Sequence, residues 1–301
     1  MEKFNKIVLV EPVLITDSGK ERLKAFCKEL VVFNDDTISD DDTIKRIGDA
    51  DCILVSYKTQ ISRAVIEACT GLRHVALCCS FYGKQFAKVD IDALEEHGIT
   101  YSFLSGHGDN GVVEFTVSQT INLLHGFGGK RWKKDFLDLT TLKVGVLGLG
   151  GLGTKIAKAY KAFGCEVFYF SKTPKPNIEK ELGITYLELD ELLKTVDLIS
   201  INLNRDVCLI GGDKLKIFGD GKIIINTSIG KCYEAVSLKK WLENKNNFYV
   251  CDKASTGEDL ADILENENVV YVNEIVGDTA QCLTRASSQI IRNIQAECDK
   301  K

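Results

Sequence analysis

Apolar residues follow two different spacings along the first third of the chain. Short apolar runs are typical of buried strands, and apolar residues three or four apart are typical of helices. Ser18 is the expected N-cap of the first helix, because Glu21 follows three residues later. Strands that alternate with helices predict βαβ units and a parallel sheet. Strands are predicted at residues 6–10, 30–33, 51–56, 74–79 and 99–103, and helices at 18–30, 42–48, 62–68 and 90–97.

The same alternation continues after a polar, glycine-rich loop at residues 106–111, which is a candidate hinge. A long helix is predicted at 112–124, followed by a connector. A terminal helix is predicted at 280–297, where Leu283, Ile290, Ile291 and Ile294 form an apolar face. Further strands are predicted at 144–147, 166–170, 197–202, 222–226, 247–251 and 269–272.

A glycine motif in the middle of the chain has the spacing of a dinucleotide-binding turn. The pattern G-x-G-x-x-G follows the apolar run 144–147 and precedes a helical pattern at 154–163. In this motif the first glycine permits the tight turn, the second lets the backbone approach a pyrophosphate, and the third lets the helix pack on the strand. The start of the helix then offers N–H groups to the phosphates. We expect the pyrophosphate to be held by Gly148, Gly150, Gly151, Leu152 and Gly153.

The residues after the next predicted strand indicate which nicotinamide cofactor is bound. Enzymes that use NAD usually place Asp or Glu about 20 residues past the glycines, where it binds the ribose hydroxyls. Here the strand at 166–170 is followed by Ser171-Lys-Thr-Pro-Lys175, which contains no carboxylate. A serine hydroxyl can donate to a 2′-phosphate and a lysine can neutralise it. The sequence therefore favours NADP, with NAD as the alternative, and the expected contacts are Ser171, Lys172 and Thr173, with Arg205 as a further cation.

Charge and cysteine content exclude several classes of partner. The chain has 301 residues, a net charge of −5 and no basic run, which argues against nucleic acid or an anionic membrane. It has no apolar span of about 18 residues and no signal-peptide core, so we expect a cytoplasmic protein. Its eleven cysteines include no C-x-x-C pair, which is typical of reduced thiols. We therefore expect a small-molecule substrate and no metal.

Five segments, taken in chain order, resemble the D-2-hydroxyacid dehydrogenase family, and they are residues 89–94, 112–115, 148–153, 195–200 and 224–230. The resemblance implies an α/β fold in which a Rossmann-type doubly wound parallel sheet is inserted into a smaller flavodoxin-like α/β domain. It implies a substrate-type domain of residues 1–105 plus 283–301 and a dinucleotide-binding domain of residues 106–282, with the active site in the cleft between them. It also implies that Asn202, Thr227 and Ser228 contact the cofactor.

The family's members form dimers through the interdomain helix and the connector after it. The resemblance therefore implies a homodimer here, with Trp132 of the connector 126–142 as an anchor.

The chemistry of the family depends on an arginine, a histidine and a glutamate. The arginine clamps the carboxylate of a 2-oxo acid, the histidine transfers the alcohol proton, and the glutamate orients the histidine. Matching motif to motif, Ile229 stands at the arginine position, Glu274 at the histidine position, and Gly257, with Glu258 adjacent, at the glutamate position. Without the guanidinium there is no bidentate grip on a carboxylate.

Other groups are candidates for the missing chemistry. Glu274 is a candidate proton donor if it is partly buried, and its alternative role is that of a solvated loop residue. His107, in the glycine-rich loop, is a second candidate, and Lys84 or Tyr82 could supply a charge or a proton. These residues leave two functions open. One is an NAD(P)-dependent oxidoreductase whose substrate is not a simple 2-hydroxy acid, and the other is a non-catalytic NAD(P)-binding sensor or scaffold.

Overall fold

The computed structural model describes residues 2–300. The chain divides into two compact units, Met1–His107 with Thr279–Lys301, and Gly108–Asp278. Within residues 2–300, no helix is both long and apolar enough to cross a membrane.

The first unit contains a five-stranded parallel sheet with the order β2-β1-β3-β4-β5. This is the flavodoxin-like order, so the predicted α/β class of this unit is confirmed. Its strands are β1 (Phe4–Leu9), β2 (Cys27–Val32), β3 (Cys52–Val55), β4 (His74–Ser80) and β5 (Thr100–Leu104). Its helices are α1 (Asp17–Leu23), α2 (Asp40–Ile47), α3 (Arg63–Ala68), α4 (Ile91–Glu96) and, at the end of the chain, α11 (Ala280–Asp299).

Apolar side chains fill both faces of this sheet, because successive residues of a strand point to opposite sides. Ile7 and Leu9 of β1 pack in one cluster with Ile290 and Ile294 of α11. Val8 packs in a separate cluster on the other face. Helices therefore cover both faces, as a parallel sheet requires.

The predicted helix at 18–30 is wrong in its cap and in its second half. Thr16, not Ser18, is the N-cap, and its hydroxyl accepts from the backbone N–H of Gly19 at 3.0 Å. The helix ends at Leu23, a short 3-10 turn follows, and β2 begins at Cys27. Cys27 pairs with Phe4 of β1. Pairing with a strand that is distant in sequence decides the conformation, which a local pattern does not report.

The apolar face of the terminal helix also differs from the prediction at its N-terminal end. Ile290, Ile291 and Ile294 are buried, but Leu283 is 37 % exposed. Cys282 and Ala286 are the buried residues of the first two turns, because the buried stripe follows the i, i+4 row that continues to Ile290.

The second unit contains a seven-stranded parallel sheet. Its strands are β6 (Lys143–Leu147), β7 (Glu166–Phe170), β8 (Thr185–Tyr186), β9 (Leu198–Ile201), β10 (Ile223–Asn226), β11 (Phe248–Asp252) and β12 (Val269–Val272). Its helices are α5 (Asp109–His125), α6 (Gly151–Ala162), α7 (Pro176–Leu182), α8 (Leu189–Thr195), α9 (Gly212–Phe218) and α10 (Ala235–Trp241).

The strand order of this sheet is β12-β11-β10-β9-β6-β7-β8. The chain therefore winds outward from β6 in one direction through β7 and β8, and in the other through β9 to β12. This is the doubly wound Rossmann order with one added strand, so the predicted fold class is confirmed. The order reverses between β6 and β9, and ligands bind at such a switch point, outside the carboxyl ends of the strands.

Trp132 is part of the core of the second unit, which corrects its predicted role as a dimer anchor. Its side chain is 7 % exposed and packs in the same cluster as Val144 and Ile223. Its indole Nε1–H donates to the carbonyl of Gly221 at 3.0 Å. Because the ring is buried and hydrogen-bonded within its own unit, it is not available to a second copy of the chain.

Candidate functional site

Two of the three motif glycines are required by the packing around them. Gly148 directly follows β6 and has φ +89°, and a Cβ at this position would overlap the carbonyl oxygen of Asn202. A Cβ on Gly153 would overlap the carbonyl oxygen of Gly148. The turn from β6 into α6 therefore brings three backbone segments too close together for any side chain.

The middle of the same turn faces open space. A Cβ on Gly150 or Gly151 would have no atom within 4 Å. α6 begins here and has 12 residues, so the N–H groups of its first turn point toward this space. Leu152 is half-buried and packs against the core below the turn. An open turn at a helix N-terminus fits a pyrophosphate.

Two enclosed polar atoms lie at the carboxyl edge of the sheet, close to this turn. Asn202 follows β9, and its amide nitrogen donates to the carbonyl of Ser200 at 3.0 Å. Its Oδ1, however, is shielded from solvent and has no partner among residues 2–300, and the same is true of the hydroxyl oxygen of Thr227 after β10. Buried polar atoms without partners are rare in folded proteins. Donors on a bound nucleotide would satisfy both, so this edge fits a dinucleotide.

Ser228 differs from Thr227, because its hydroxyl already forms hydrogen bonds within the protein. Its Oγ donates to the carbonyl of Ile201 at 3.0 Å and accepts from the N–H of Leu203 at 3.0 Å. Ser228 therefore connects the loops after β9 and β10, and this contact holds Asn202 in position.

The predicted adenosine-binding residues form an exposed turn after β7. The hydroxyl of Ser171 donates to the carbonyl of Thr173 at 2.6 Å, and Lys172 and Thr173 are exposed. Tyr169 fixes the far side of the turn, since its hydroxyl accepts from the N–H of Lys175 at 2.7 Å. Burial raises the pKa of Tyr169 to about 12, so the phenol stays protonated at physiological pH.

Arg205 lies on the β10 side of β9. Its Cγ stands 3.1 Å from the position that a Cβ on Gly230 would occupy. Asp206 beside it accepts from the N–H of Lys231 at 2.8 Å, which joins the loops after β9 and β10. The side chain of Arg205 therefore lies against the loop after β10.

A side chain at the position of the family's glutamate would require neighbouring side chains to move. A Cβ on Gly257 would lie 2.8 Å from a carboxylate oxygen of Asp259 and 3.2 Å from the hydroxyl of Tyr233. That hydroxyl accepts from the N–H of Gly257 and donates to Asp259, each at 2.9 Å. Lys231 forms an ion pair with Asp259 at 3.0 Å. Burial opposes ionisation of Asp259, but the bonds from Lys231 and Tyr233 lower its pKa.

Lys231, Asp259 and Tyr233 thus form a cluster at the carboxyl edge that sequence reasoning missed. Lys231 stands two residues after Ile229, and Asp259 two residues after Gly257. These short distances from the family's catalytic positions were the only signal in the sequence that could have pointed to the cluster. The signal was not sufficient, because the sequence of one loop does not show which other loop it contacts.

Glu274 is exposed, so the condition of partial burial that its predicted role requires is not met within the chain. Its backbone is well fixed, because its carbonyl accepts from the N–H of Lys253 at 3.2 Å. The loop after β12 therefore fixes the backbone of Glu274 and leaves its carboxylate accessible.

The remaining candidates, Lys84 and His107, belong to the first unit. The ammonium of Lys84 is bonded to Asp92 at 2.7 Å and to Glu95 at 2.6 Å. These bonds raise its pKa above the ordinary lysine value, which makes Lys84 a poorer proton donor near pH 7. His107 is half-buried, as is Tyr82.

No three His, Cys, Asp or Glu side chains of residues 2–300 are grouped closely enough to hold a metal ion. Nine of the eleven cysteines are buried, where they pack as small apolar residues.

Comparisons with known proteins agree with the fold. Residues 120–272 match the family model described as D-isomer specific 2-hydroxyacid dehydrogenase, NAD binding domain. A hydroxypyruvate reductase of Blautia hydrogenotrophica is 28% identical over 222 residues, which cover 67% of each chain.

Solved structures match over nearly the whole length. The D-lactate dehydrogenase of Aquifex aeolicus, complexed with NAD and lactic acid, has a TM-score of 0.76 at 19% identity and covers 98% of this chain and 96% of its own. The NAD-bound 3-phosphoglycerate dehydrogenase of Entamoeba histolytica has a TM-score of 0.73 at 20% identity, with 99% and 95% covered.

Proposed function

The chain belongs to the D-isomer specific 2-hydroxyacid dehydrogenase family, and we propose that it is a nicotinamide-dependent oxidoreductase whose substrate is not a simple 2-hydroxy acid. The family acts on CH–OH groups with a nicotinamide cofactor. One observation carries the proposal. The carboxyl edge of the second sheet, called here the cofactor edge, keeps the groups that fit a dinucleotide, while Ile229, Gly257 and Glu274 stand at the three catalytic positions of the family.

The second unit supplies the groups that hold the dinucleotide. The N–H groups at Gly150, Gly151 and Leu152 would bind the pyrophosphate. Asn202 Oδ1 would accept a hydrogen bond from the nicotinamide half, and Thr227 Oγ1 would accept or donate one. When bound, the cofactor supplies or accepts the hydride. The protein orients the substrate, excludes water and moves a proton.

The missing guanidinium supports a substrate without an α-carboxylate. Ile229 is half-buried and has no charge, so it cannot form the two parallel hydrogen bonds that arginine makes with a carboxylate. An aliphatic side chain at this position suits an apolar substituent next to the carbonyl carbon. We therefore expect aldehydes and ketones to be better substrates than 2-oxo acids.

Glu274 is the proposed proton donor of the second unit. Its carboxyl group is accessible and its backbone is fixed. A glutamate can replace a histidine as general acid where its surroundings in the loaded enzyme keep it protonated. His107 of the first unit is the second candidate. Lys84 is not a suitable proton donor, because its ammonium is held by two carboxylates.

NADP is the proposed cofactor. The observation that supports it is the exposed turn with Ser171, Lys172 and Lys175 and without a carboxylate. A carboxylate there would repel a 2′-phosphate, whereas these lysines attract it.

A non-catalytic NAD(P)-binding protein is the second candidate function. It is favoured by the glycine that stands at the family's glutamate position, Gly257, and by the engagement of Lys84 in ion pairs. A binding protein needs only the cofactor edge.

The test is made with purified full-length protein. Binding of NADPH and NADH is measured by calorimetry, and oxidation of NADPH is followed with pyruvate, hydroxypyruvate and a panel of aldehydes and ketones. Turnover of a carbonyl compound without a carboxylate, with weak activity on 2-oxo acids, supports the oxidoreductase. Efficient turnover of pyruvate or hydroxypyruvate contradicts the proposed substrate class. Tight NADPH binding without any turnover supports the sensor, and absence of dinucleotide binding contradicts both functions.

Glu274 is tested by the substitution E274Q against E267Q, a matched change of an exposed glutamate before β12. We expect E274Q to lower kcat at least about a hundredfold, which is the low end for loss of a general acid, and E267Q to leave it unchanged.

A homodimer and a cytoplasmic location complete the proposal. The connector after α5 presents Phe127 and Phe136, which are 59 % and 67 % exposed. A second copy that covers these rings would remove them from water. Light scattering of the wild type and of a F127S/F136S variant tests this, and a monomeric wild type contradicts it.

The cytoplasmic location is supported by the number of buried thiols.

A further inference from the structure

A pocket on the first unit contains two arginines and no carboxylate. It has a volume of about 390 Å³ and lies between residues 105–107, which follow β5, and one side of α11. Arg285 and Arg292 are seven residues apart on this helix, so they lie on the same side, two turns from each other. Ser288 and Gln289 lie between them. The pocket therefore presents hydrogen-bond donors and positive charge to a ligand.

Neither arginine has a counterion. In the part of the chain that the structure describes, no carboxylate forms an ion pair with either guanidinium, and the pocket lining contains no Asp or Glu. Three other arginines of the same unit, Arg46, Arg63 and Arg73, are each paired with a carboxylate at 2.8, 2.5 and 3.2 Å. The charge of Arg285 and Arg292 is thus uncompensated, while that of their neighbours is balanced.

Arg285 is also fixed in place. Its Nε donates to the carbonyl of His107 at 2.8 Å, and its Nη2 is shielded from solvent without a hydrogen-bond partner among residues 2–300. A shielded guanidinium nitrogen without a partner is costly, because its N–H groups have lost their bonds to water and gained no acceptor. A ligand that brings an oxyanion into the pocket removes this deficit.

We propose that the pocket binds the phosphate group of a small phosphorylated molecule. A phosphate monoester carries a charge of about −1.5 to −2 at pH 7, which matches two guanidinium groups better than a single carboxylate does. The Oε1 of Gln289 already accepts from the N–H of Ser105 at 3.2 Å, which leaves its NH₂ group and the hydroxyl of Ser288 as further donors. The pocket is lined only by residues of the first unit and includes none of the proposed cofactor-binding residues, so phosphate binding there does not require the proposed oxidoreductase function.

Calorimetry with inorganic phosphate tests the site on the full chain. The protein is saturated with NADPH so that phosphate cannot bind at the glycine turn, and the ionic strength is held constant with chloride. We expect one phosphate per chain, and acetate to bind at least about tenfold more weakly. R285Q and R292Q should each weaken phosphate binding about tenfold or more, since each removes a charged hydrogen-bond donor. R22Q is the matched control, because Arg22 is an exposed arginine on α1 of the same unit.

The proposal is overturned if the wild type binds no phosphate, if R292Q and R285Q bind it as the wild type does, or if R22Q weakens it equally. Acetate that binds as tightly as phosphate overturns the phosphate class. If R285Q fails to fold because it loses the contact with His107, R292Q decides, since Arg292 is exposed and its loss removes no contact that holds the helix.

Discussion

The carboxylate of Asp252 accepts a hydrogen bond from the backbone N–H of Val276 at 3.2 Å. Asp252 ends β11 and is 2 % exposed, and its other oxygen accepts from the N–H of Ser255 at 3.0 Å. One side chain therefore fixes two loops, the one that leads to Gly257 and the one that carries Glu274. The geometry of the substrate side depends on a residue that does not itself face solvent.

Asp252→Asn should destabilise the protein by about 1–3 kcal/mol, because the amide replaces one acceptor oxygen with a donor and leaves a buried N–H without a partner. Urea denaturation measures the loss, and hydrogen exchange should show faster exchange at residues 273–278. Asp213→Asn, at a 91 % exposed side chain, is the control and should change neither. Unchanged exchange in the loop would show that Asp252 does not hold it.

Local patterns predicted the strands of the second sheet well because short apolar runs are typical of strands in a parallel sheet. β7 and β12 begin and end where the sequence predicted, and β9 and β10, which lie inside the sheet, are buried throughout. The helices α7 to α10 have seven residues each, which is too short for a helical spacing to stand out. Strand β2 was missed in part because its pairing with β1 joins residues far apart in sequence.

The turn of the glycine motif could be predicted from the sequence, and the side-chain cluster across the loops after β10 and β11 could not. The glycines of the turn are dictated by backbone approach, which leaves a fixed spacing in the sequence. By contrast, the cluster of Lys231, Tyr233 and Asp259 forms across two loops. The burial of Trp132 likewise depends on a carbonyl almost ninety residues away.

Gly153→Ala and Gly150→Ala should separate folding from cofactor binding. A Cβ on Gly153 overlaps the carbonyl of Gly148, so this variant should lose at least about 2 kcal/mol of stability. A Cβ on Gly150 meets no atom within 4 Å, so this variant should fold normally and bind NADPH at least about tenfold more weakly. Thermal unfolding and calorimetry measure the two effects. Equal NADPH affinity in Gly150→Ala and the wild type would place the pyrophosphate elsewhere.

Ser171→Asp should reverse the cofactor preference. The new carboxylate would repel a 2′-phosphate and accept from the ribose hydroxyls of NADH. We expect the affinity for NADPH to fall at least about tenfold and the affinity for NADH to rise. Lys180→Gln, at an exposed lysine on α7, controls for the change of one unit of charge. A wild type that already prefers NADH would contradict the role assigned to Ser171 and Lys172.

His74 should make the stability of the first unit depend on pH. It is 1 % exposed, and its ring nitrogens contact the hydroxyls of Thr100 at 2.7 Å and Ser102 at 3.0 Å. Burial lowers the pKa of His74 to about 4, against about 6.5 in an unfolded chain. Between pH 4 and 6.5, the unfolded state binds a proton at His74 that the folded state does not bind. The free energy of unfolding is therefore highest above about pH 6.5, and it falls by at most about 3 kcal/mol as the pH drops toward 4.

Urea denaturation at pH 7.5, 6 and 5 measures the slope of the free energy of unfolding against pH. His74→Gln keeps a polar side chain that cannot titrate in this range, so its stability should be lower at pH 7.5 and should fall less between pH 7.5 and 5. His125→Gln, at the end of α5 in the second unit, should keep the slope of the wild type. Because the histidine is buried between β5 and α11, the slope should appear in the unfolding of the first unit. A wild-type slope that survives in His74→Gln would assign the pH dependence to another group.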